Sequence, residues 1–206
     1  IIKFLNSSYL KNVYYLGSHQ GIIPIILKKF YLKNSKFICL EALAHNYEIS
    51  LKNKYINKCG ADITFLNRAI SIENGYENFS LFKLNSSKTN NLFIKRKVKS
   101  LTITNLIKNY KKPNLIYMDI EGMESSVIES NLNLLKKNSH VLFLELHGDK
   151  ILKQFNSSNS KVFGYLNMIY KKIYLIKNNK LKLINKKNFN ITDRIYLLCV
   201  SSNKLL

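Results

Sequence analysis

Three carboxylates stand within six positions in the stretch Tyr117-Met118-Asp119-Ile120-Glu121-Gly122-Met123-Glu124. The chain around them is basic, with 33 Lys and Arg against 12 Asp and Glu and a formal net charge of +21. A concentration of acids against that background calls for a chemical reason. Asp119 and Glu121 follow the apolar run Asn114–Asp119, which reads as a buried strand. They therefore stand at a strand's C-terminal end, and Gly122 permits an unusual turn there. Glu124 falls in the first turn of the following helix, where the dipole favours an anion. It reads either as a helix cap or as part of the cluster.

A second group lies in Leu144-Glu145-Leu146-His147-Gly148-Asp149. A carboxylate inside an apolar strand is costly to bury unpaired. Strand alternation puts Glu145 and His147 on one face. If the two strands are neighbours, Asp119, Glu121, Glu145 and His147 converge. His147 titrates near neutral pH and suits a general base, or it is a surface histidine after a strand. The carboxylates could instead hold a divalent metal through oxygen ligands. No spacing singles out such a site, and no metal ligand is assigned.

The third group is Leu16-Gly17-Ser18-His19-Gln20-Gly21, a G-x-x-x-G turn that opens a helix. Its glycines allow a tight turn and close approach of a ligand to the backbone. The helix start offers free N–H groups to an anion such as a carboxylate. The G-x-G-x-x-G dinucleotide fingerprint is not met, and His19 reads as a loop residue. Glu41 follows Gly17 by 24 positions and ends an apolar strand. That fits the roughly 20-residue offset of the acidic residue that accepts bonds from ribose hydroxyls; the alternative is a surface carboxylate at a strand end.

The elements that must position these groups alternate. Asn12–Leu16, Lys36–Glu41 and Asp62–Asn67 read as strands, separated by an apolar helix through Tyr31 and a second helix over Ala44–Lys58. Such β-α-β-α-β alternation predicts a parallel sheet covered on both faces. Glu77–Leu84 reads as an extra strand and Asn85–Asn91 as a polar loop. Thr104 is the expected cap of a short helix ending near Tyr110. Helices are expected over Met123–Lys137 and Lys161–Lys171, a loop over Gln154–Ser160, and strands over Val141–Leu146, Lys172–Lys177 and Arg194–Ser201. Lys180–Asn185 is expected to pair between the last two strands, which then form an antiparallel hairpin. Seven main strands in this pattern suggest a Rossmann-like methyltransferase sheet. Ligands bind such sheets at the C-terminal strand ends, where all three groups fall.

Composition narrows the partners. Arg occurs only at 68, 96 and 194, whereas base-reading sites favour Arg. Residues with A/T-rich codons are abundant, so base bias accounts for much of the charge. A specific nucleic-acid partner is not expected. No apolar run approaches the roughly 18 residues of a membrane span. Cys39, Cys59 and Cys199 form no C-x-x-C pair and fit a reducing, cytoplasmic setting. No leader peptide is expected, while a start at Ile1 rather than Met fits a fragment lacking an upstream piece.

Asp119-Ile120-Glu121-Gly122-Met123-Glu124 resembles the D-h-E-G-x-E signature of FkbM-type methyltransferases. Leu144-Glu145-Leu146-His147 is similar to their E-x-H strand, Gly17 to Gly21 to their glycine turn, and Asn67-Arg68-Ala69-Ile70-Ser71 to their N-x-A segment. Tyr15 stands where that family carries Asp in the turn motif. The resemblance runs from about Val13 to Ser201. It implies a class I methyltransferase fold in one domain over residues 1–206, with S-adenosylmethionine as donor. It also implies O-methylation of a sugar or small-metabolite hydroxyl. Gly17, Ser18, Gly21, Glu41, Asn67, Ala69 and Asp119 are then expected at the cofactor, and Asp119, Glu121, Glu145 and His147 at the chemistry. The alternative is a catalytically inactive Rossmann-like binding protein for an acidic glycan or nucleic acid.

Overall fold

The computed structural model describes residues 4–82, 93–138, 140–185 and 189–201. In chain order the elements are β1 (Asn12–Leu16), α1 (Ile22–Ile26), β2 (Lys36–Glu41), α2 (Ala44–Ile56), β3 (Ile63–Asn67) and β4 (Ala69–Ile70). Then come β5 (Gly75–Phe82), β6 (Phe93–Leu101), α3 (Ile103–Asn109), β7 (Leu115–Met118), α4 (Glu124–Ser130) and α5 (Leu132–Lys137). The chain continues through β8 (Val141–Leu146), α6 (Asp149–Leu152), α7 (Asn159–Ile169), β9 (Lys172–Lys177), β10 (Lys180–Ile184) and β11 (Ile195–Val200).

Eight strands form the main sheet in the order β10-β9-β11-β8-β7-β1-β2-β3. β3, β2, β1, β7 and β8 are parallel, and β11 runs antiparallel between β8 and β9. Neighbouring residues on a strand point to opposite faces, and both faces are buried. Tyr14, Leu16, Ile116, Met118, Leu142 and Leu144 pack with residues of α3, α4, α5 and α7. Val13, Tyr15, Phe37, Cys39, Leu115 and Phe143 pack on the other face with Ile25 of α1. That double coverage is why the strands read as continuous apolar runs. The fold is the Rossmann-like, mostly parallel α/β sheet with helices on both faces.

Several local expectations change. Lys180–Ile184 pairs with β9 alone, at the sheet's outer edge. β11 takes the place between β8 and β9, because its buried Leu197, Leu198 and Cys199 need cover on both faces. The cap of α3 is Thr102, whose hydroxyl accepts the Asn105 N–H at 3.1 Å, not Thr104. The helix expected over Met123–Lys137 breaks at Asn131, whose side-chain amide donates back to the Val127 carbonyl. α7 begins at Asn159, since the Ser158 hydroxyl accepts the Lys161 N–H. β5 begins at Gly75 and pairs antiparallel with β6, which with β4 makes a separate three-stranded sheet. The Asn85–Asn91 loop lies outside the described residues. Cys39, Cys59 and Cys199 are buried free thiols. Among the described residues, no helix is long and apolar enough to cross a membrane.

Candidate active site

Register builds the acidic side. Tyr117 of β7 pairs with Phe143 of β8, and their rings lie 4.4 Å apart. Two residues further along each strand, on the same face, come Asp119 and Glu145. His147 follows two residues beyond Glu145, just past the end of β8. Asp119, Glu145 and His147 each present a potential ligand atom, all within 4.8 Å of one another. His147 Nε2 lies 3.4 Å from Asp119 Oδ1 and 3.1 Å from Glu121 Oε2. Glu121 has φ +53, and its side chain is 72% exposed at the mouth of the cluster. The four residues that alternation and strand order predicted therefore come together.

Glu124 serves both of its readings. It opens α4, and its Oε1 accepts the Gly122 N–H at 3.1 Å. The same oxygen lies 2.7 Å from His147 Nδ1, with both side chains fully buried. A carboxylate oxygen accepts, so Nδ1 carries the hydrogen and the ring is fixed with Nε2 toward Asp119 and Glu121. Neither His147 Nε2 nor Glu124 Oε2 has an aligned hydrogen-bond partner. Burial alone would lower the His147 pKa. The Glu124 hydrogen bond and the charges of Glu124 and Glu121 outweigh burial and Arg194, and they raise it. Burial, with the neighbouring Glu145 and Glu121 carboxylates, pushes Asp119 up to about 7 against the opposing pull of His147.

Arg194 completes the group and was not anticipated. Its Nη1 lies 3.0 Å from Glu145 Oε1, and its Nη2 lies 3.8 Å from Glu121 Oε2. The Tyr196 hydroxyl donates to Glu145 at 3.4 Å. The β11 register sets Ile195 against Leu146, which delivers Arg194 beside His147. Buried Asn159 holds the approach to Arg194 by donating to the Ile191 and Asp193 carbonyls. In a chain whose cations are nearly all Lys, a lone Arg at a strand start was the available signal.

The glycine turn stands on the adjacent strand. Gly17 and Ser18 N–H groups both donate to the Leu40 carbonyl, at 3.0 and 2.8 Å. Glu41 is buried beneath the turn, its Oε2 accepting the His19 N–H at 2.7 Å and its Oε1 the Leu43 N–H at 2.8 Å. Its carboxylate thus fastens the turn, a role the 24-residue offset alone does not reveal. The Asn67 amide donates to the Glu41 and Ala42 carbonyls, both at 3.0 Å, and Ala69 is buried one step beyond. Ser18 Oγ is buried with no hydrogen-bond partner. Tyr15 is buried and stacks on Tyr117 at 4.1 Å.

Comparison with known proteins places the family and the fold. The methyltransferase FkbM domain profile matches residues 16–172. An FkbM methyltransferase from Methylobacillus flagellatus superposes with a TM-score of 0.56 at 15% identity, over 93% of this chain and 44% of that one. The StiE O-MT (residues 942–1257) gives a TM-score of 0.52 at 12% identity, over 85% of this chain and 50% of that one. This chain thus spans half or less of those two. A Bacillus cereus O-methyltransferase in complex with SAH gives a TM-score of 0.53 at 14% identity, over 94% and 75% of the two chains. No curated protein matches in sequence. The chain belongs to the FkbM methyltransferase domain family.

Proposed function

We propose that the chain is a single-domain, S-adenosylmethionine-dependent O-methyltransferase that acts on a sugar or small-metabolite hydroxyl. One observation carries this reading. Asp119, Glu121, Glu145 and His147 gather directly across Gly17 from the turn fastened by Glu41. A glycine turn and an acidic cluster with a histidine thereby share one edge of the sheet.

The donor site fits at named atoms. The buried Ser18 hydroxyl lacks a partner within the protein. The turn at Gly17, Ser18 and Gly21 would hold the methionine end. Glu41, with further lone pairs on both oxygens, would meet the ribose. Asn67 and Ala69 would flank the adenine, and Asp119 would border the donor from β7. When bound there, S-adenosylmethionine supplies a methyl group on a positively charged sulfur for in-line capture by an acceptor oxygen.

The protein's own contribution is orientation and proton removal. Orientation in a water-poor pocket is the larger share of such catalysis. The acceptor hydroxyl enters from the exposed side, where Glu121 is presented. The cluster takes its proton, and Arg194 holds Glu121 and Glu145 in place. A positioned base of this kind contributes about 10²–10⁴-fold. Buried free thiols fit a reducing, cytoplasmic setting.

The alternative is a non-enzymatic binding protein, and the observation favouring it is Tyr15, buried where the family carries Asp. Calorimetry with S-adenosylhomocysteine separates the two. The enzyme reading expects one-to-one binding, with transfer lost at least tenfold in a folded Asp119→Asn, Glu121→Gln double variant. Absence of binding at millimolar ligand favours the alternative.

A further inference from the structure

The geometry points to a divalent cation site formed by Asp119, Glu145 and His147 Nε2, where the ion activates the acceptor hydroxyl. This rests on the methyltransferase reading for its purpose, but the site is defined by its own atoms. Its three potential ligand atoms lie within 4.8 Å of one another. Around a cation with bonds of about 2.1 Å, ligands stand roughly 3–4 Å apart, so modest side-chain rotation closes the set.

The independent observation is His147. Its side chain is 0% exposed, and its Nε2 makes no aligned hydrogen bond while facing Asp119 Oδ1 at 3.4 Å and Glu121 Oε2 at 3.1 Å. The Glu124 carboxylate at 2.7 Å from Nδ1 fixes the ring. Metal-ligating histidines are commonly oriented this way, with the far nitrogen held by a carboxylate. Cation binding displaces any proton from Nε2.

Charge points the same way. Asp119, Glu121, Glu124 and Glu145 place four carboxylates around one ring. Among the described residues, Arg194 is the one Lys or Arg within 4.0 Å of them. Four carboxylates against one guanidinium, 48% exposed, and one imidazole leave an excess of acids inside a chain of net charge +21. Glu124 and Glu145 are held out of water, and buried anions need compensation, which a doubly charged cation supplies. Arg194 shares Glu145, so the two cations compete for that carboxylate.

The donor set selects the ion. Two carboxylates with one imidazole suit Mn²⁺, Fe²⁺ or Zn²⁺ better than Ca²⁺, which takes six to eight oxygens. Three protein ligands leave positions for water and for the acceptor oxygen. A coordinated hydroxyl loses its proton more readily. The proton passes to Glu121, which is outside the ligand set, and the oxygen's freed electron pair forms the bond to the donor methyl carbon. The sulfur–methyl bond breaks, and its pair remains on the sulfur.

The probe is Mn²⁺ itself, titrated into chelator-treated protein and followed by electron paramagnetic resonance and calorimetry. Wild-type protein should bind one ion per chain. Asp119→Asn, Glu145→Gln and His147→Gln should each weaken binding at least tenfold. Glu124→Gln should weaken it about 10–100-fold through the ring. Arg194→Gln lies half-exposed, and it should tighten binding while leaving the melting temperature near wild type. Absence of binding at millimolar Mn²⁺, or equal affinity in wild type and folded ligand variants, overturns the site. S-adenosylhomocysteine binding is measured on the same metal-free samples. Its presence without Mn²⁺ binding removes the metal site alone. Mn²⁺ binding without it keeps the metal site and removes the methyltransferase reading.

Discussion

Gly17 and Asp119 are in backbone contact: Gly17 has φ +84, and a Cβ built on it would overlap the Asp119 carbonyl oxygen. The glycine turn after β1 and the acidic turn after β7 are thus fitted against each other through a missing side chain. The Asp119 N–H also donates to the Leu16 carbonyl at 3.0 Å. Gly17→Ala should therefore separate the two turns. The positive φ alone costs about 1–3 kcal/mol for a non-glycine residue, and the overlap adds to it. Thermal melting should show a clear loss of stability together with weaker S-adenosylhomocysteine binding. A variant as stable as wild type would show that the turns are not locked at this point.

Glu124 and His147 make a fully buried pair. Removing one partner of such a pair typically costs about 3–5 kcal/mol. Glu124→Ala should lose stability on that scale in urea unfolding. Glu124→Gln keeps an acceptor for the Gly122 N–H and should lose less. Equal, small losses for both would mean that the pair contributes nothing specific.

Much of this side of the site was legible from local rules. Alternation placed Glu145 and His147 on one face, and parallel strand order brought Asp119 to them. What stayed hidden depends on long-range pairing. Arg194 reaches Glu145 only because β11 inserts between β8 and β9, and nothing local distinguishes that insertion from a plain hairpin. The Glu124 cap is a contact over two residues and was readable, whereas its bond to His147 spans 23 residues. Likewise the offset of Glu41 suggested a ribose contact, whereas its bonds to the His19 and Leu43 N–H groups follow from the folded turn.

His140 supplies a pH dependence away from the active site. It is buried, with Nδ1 2.7 Å from the Asn138 carbonyl and Nε2 2.6 Å from the Tyr170 hydroxyl. The carbonyl accepts from Nδ1–H, so a neutral ring accepts the Tyr170 hydroxyl at Nε2. Burial lowers its pKa, against the raising effect of the Asn138 bond. The unfolded chain therefore takes up a proton near pH 6.5 while the folded chain resists it. The stability is present above that pH and is lost as pH falls toward the folded pKa, by at most about 1.4 kcal/mol per pH unit for one proton. Urea unfolding at pH 7.5 and 5.5 should show a steeper loss for wild type than for His140→Leu. Parallel losses would remove His140 as the cause.

The proposed donor role of the glycine turn predicts a split between two variants. Glu41→Ala strips the acceptors from two backbone N–H groups. It should weaken S-adenosylhomocysteine binding by about 1–3 kcal/mol and lower the melting temperature. Ser18→Ala removes a hydroxyl with no partner in the protein. It should weaken binding without lowering stability. If Ser18→Ala binds like wild type, the methionine end does not meet that hydroxyl.

Nucleic-acid binding should be weak, indifferent to sequence and lost near physiological salt, as expected of a lysine-driven field. Filter binding across a salt series checks this. A nanomolar, sequence-selective complex at physiological salt would mean that the charge serves a dedicated partner.

The most direct measurement uses S-adenosylmethionine labelled with ¹³C at the methyl group, a panel of sugars and hydroxylated metabolites, and NMR of the products. The expected result is a labelled methyl on oxygen in at least one product, abolished in a folded Asp119→Asn, Glu121→Gln double variant. Label found only on nitrogen or carbon, or transfer undiminished in that double variant, would contradict it.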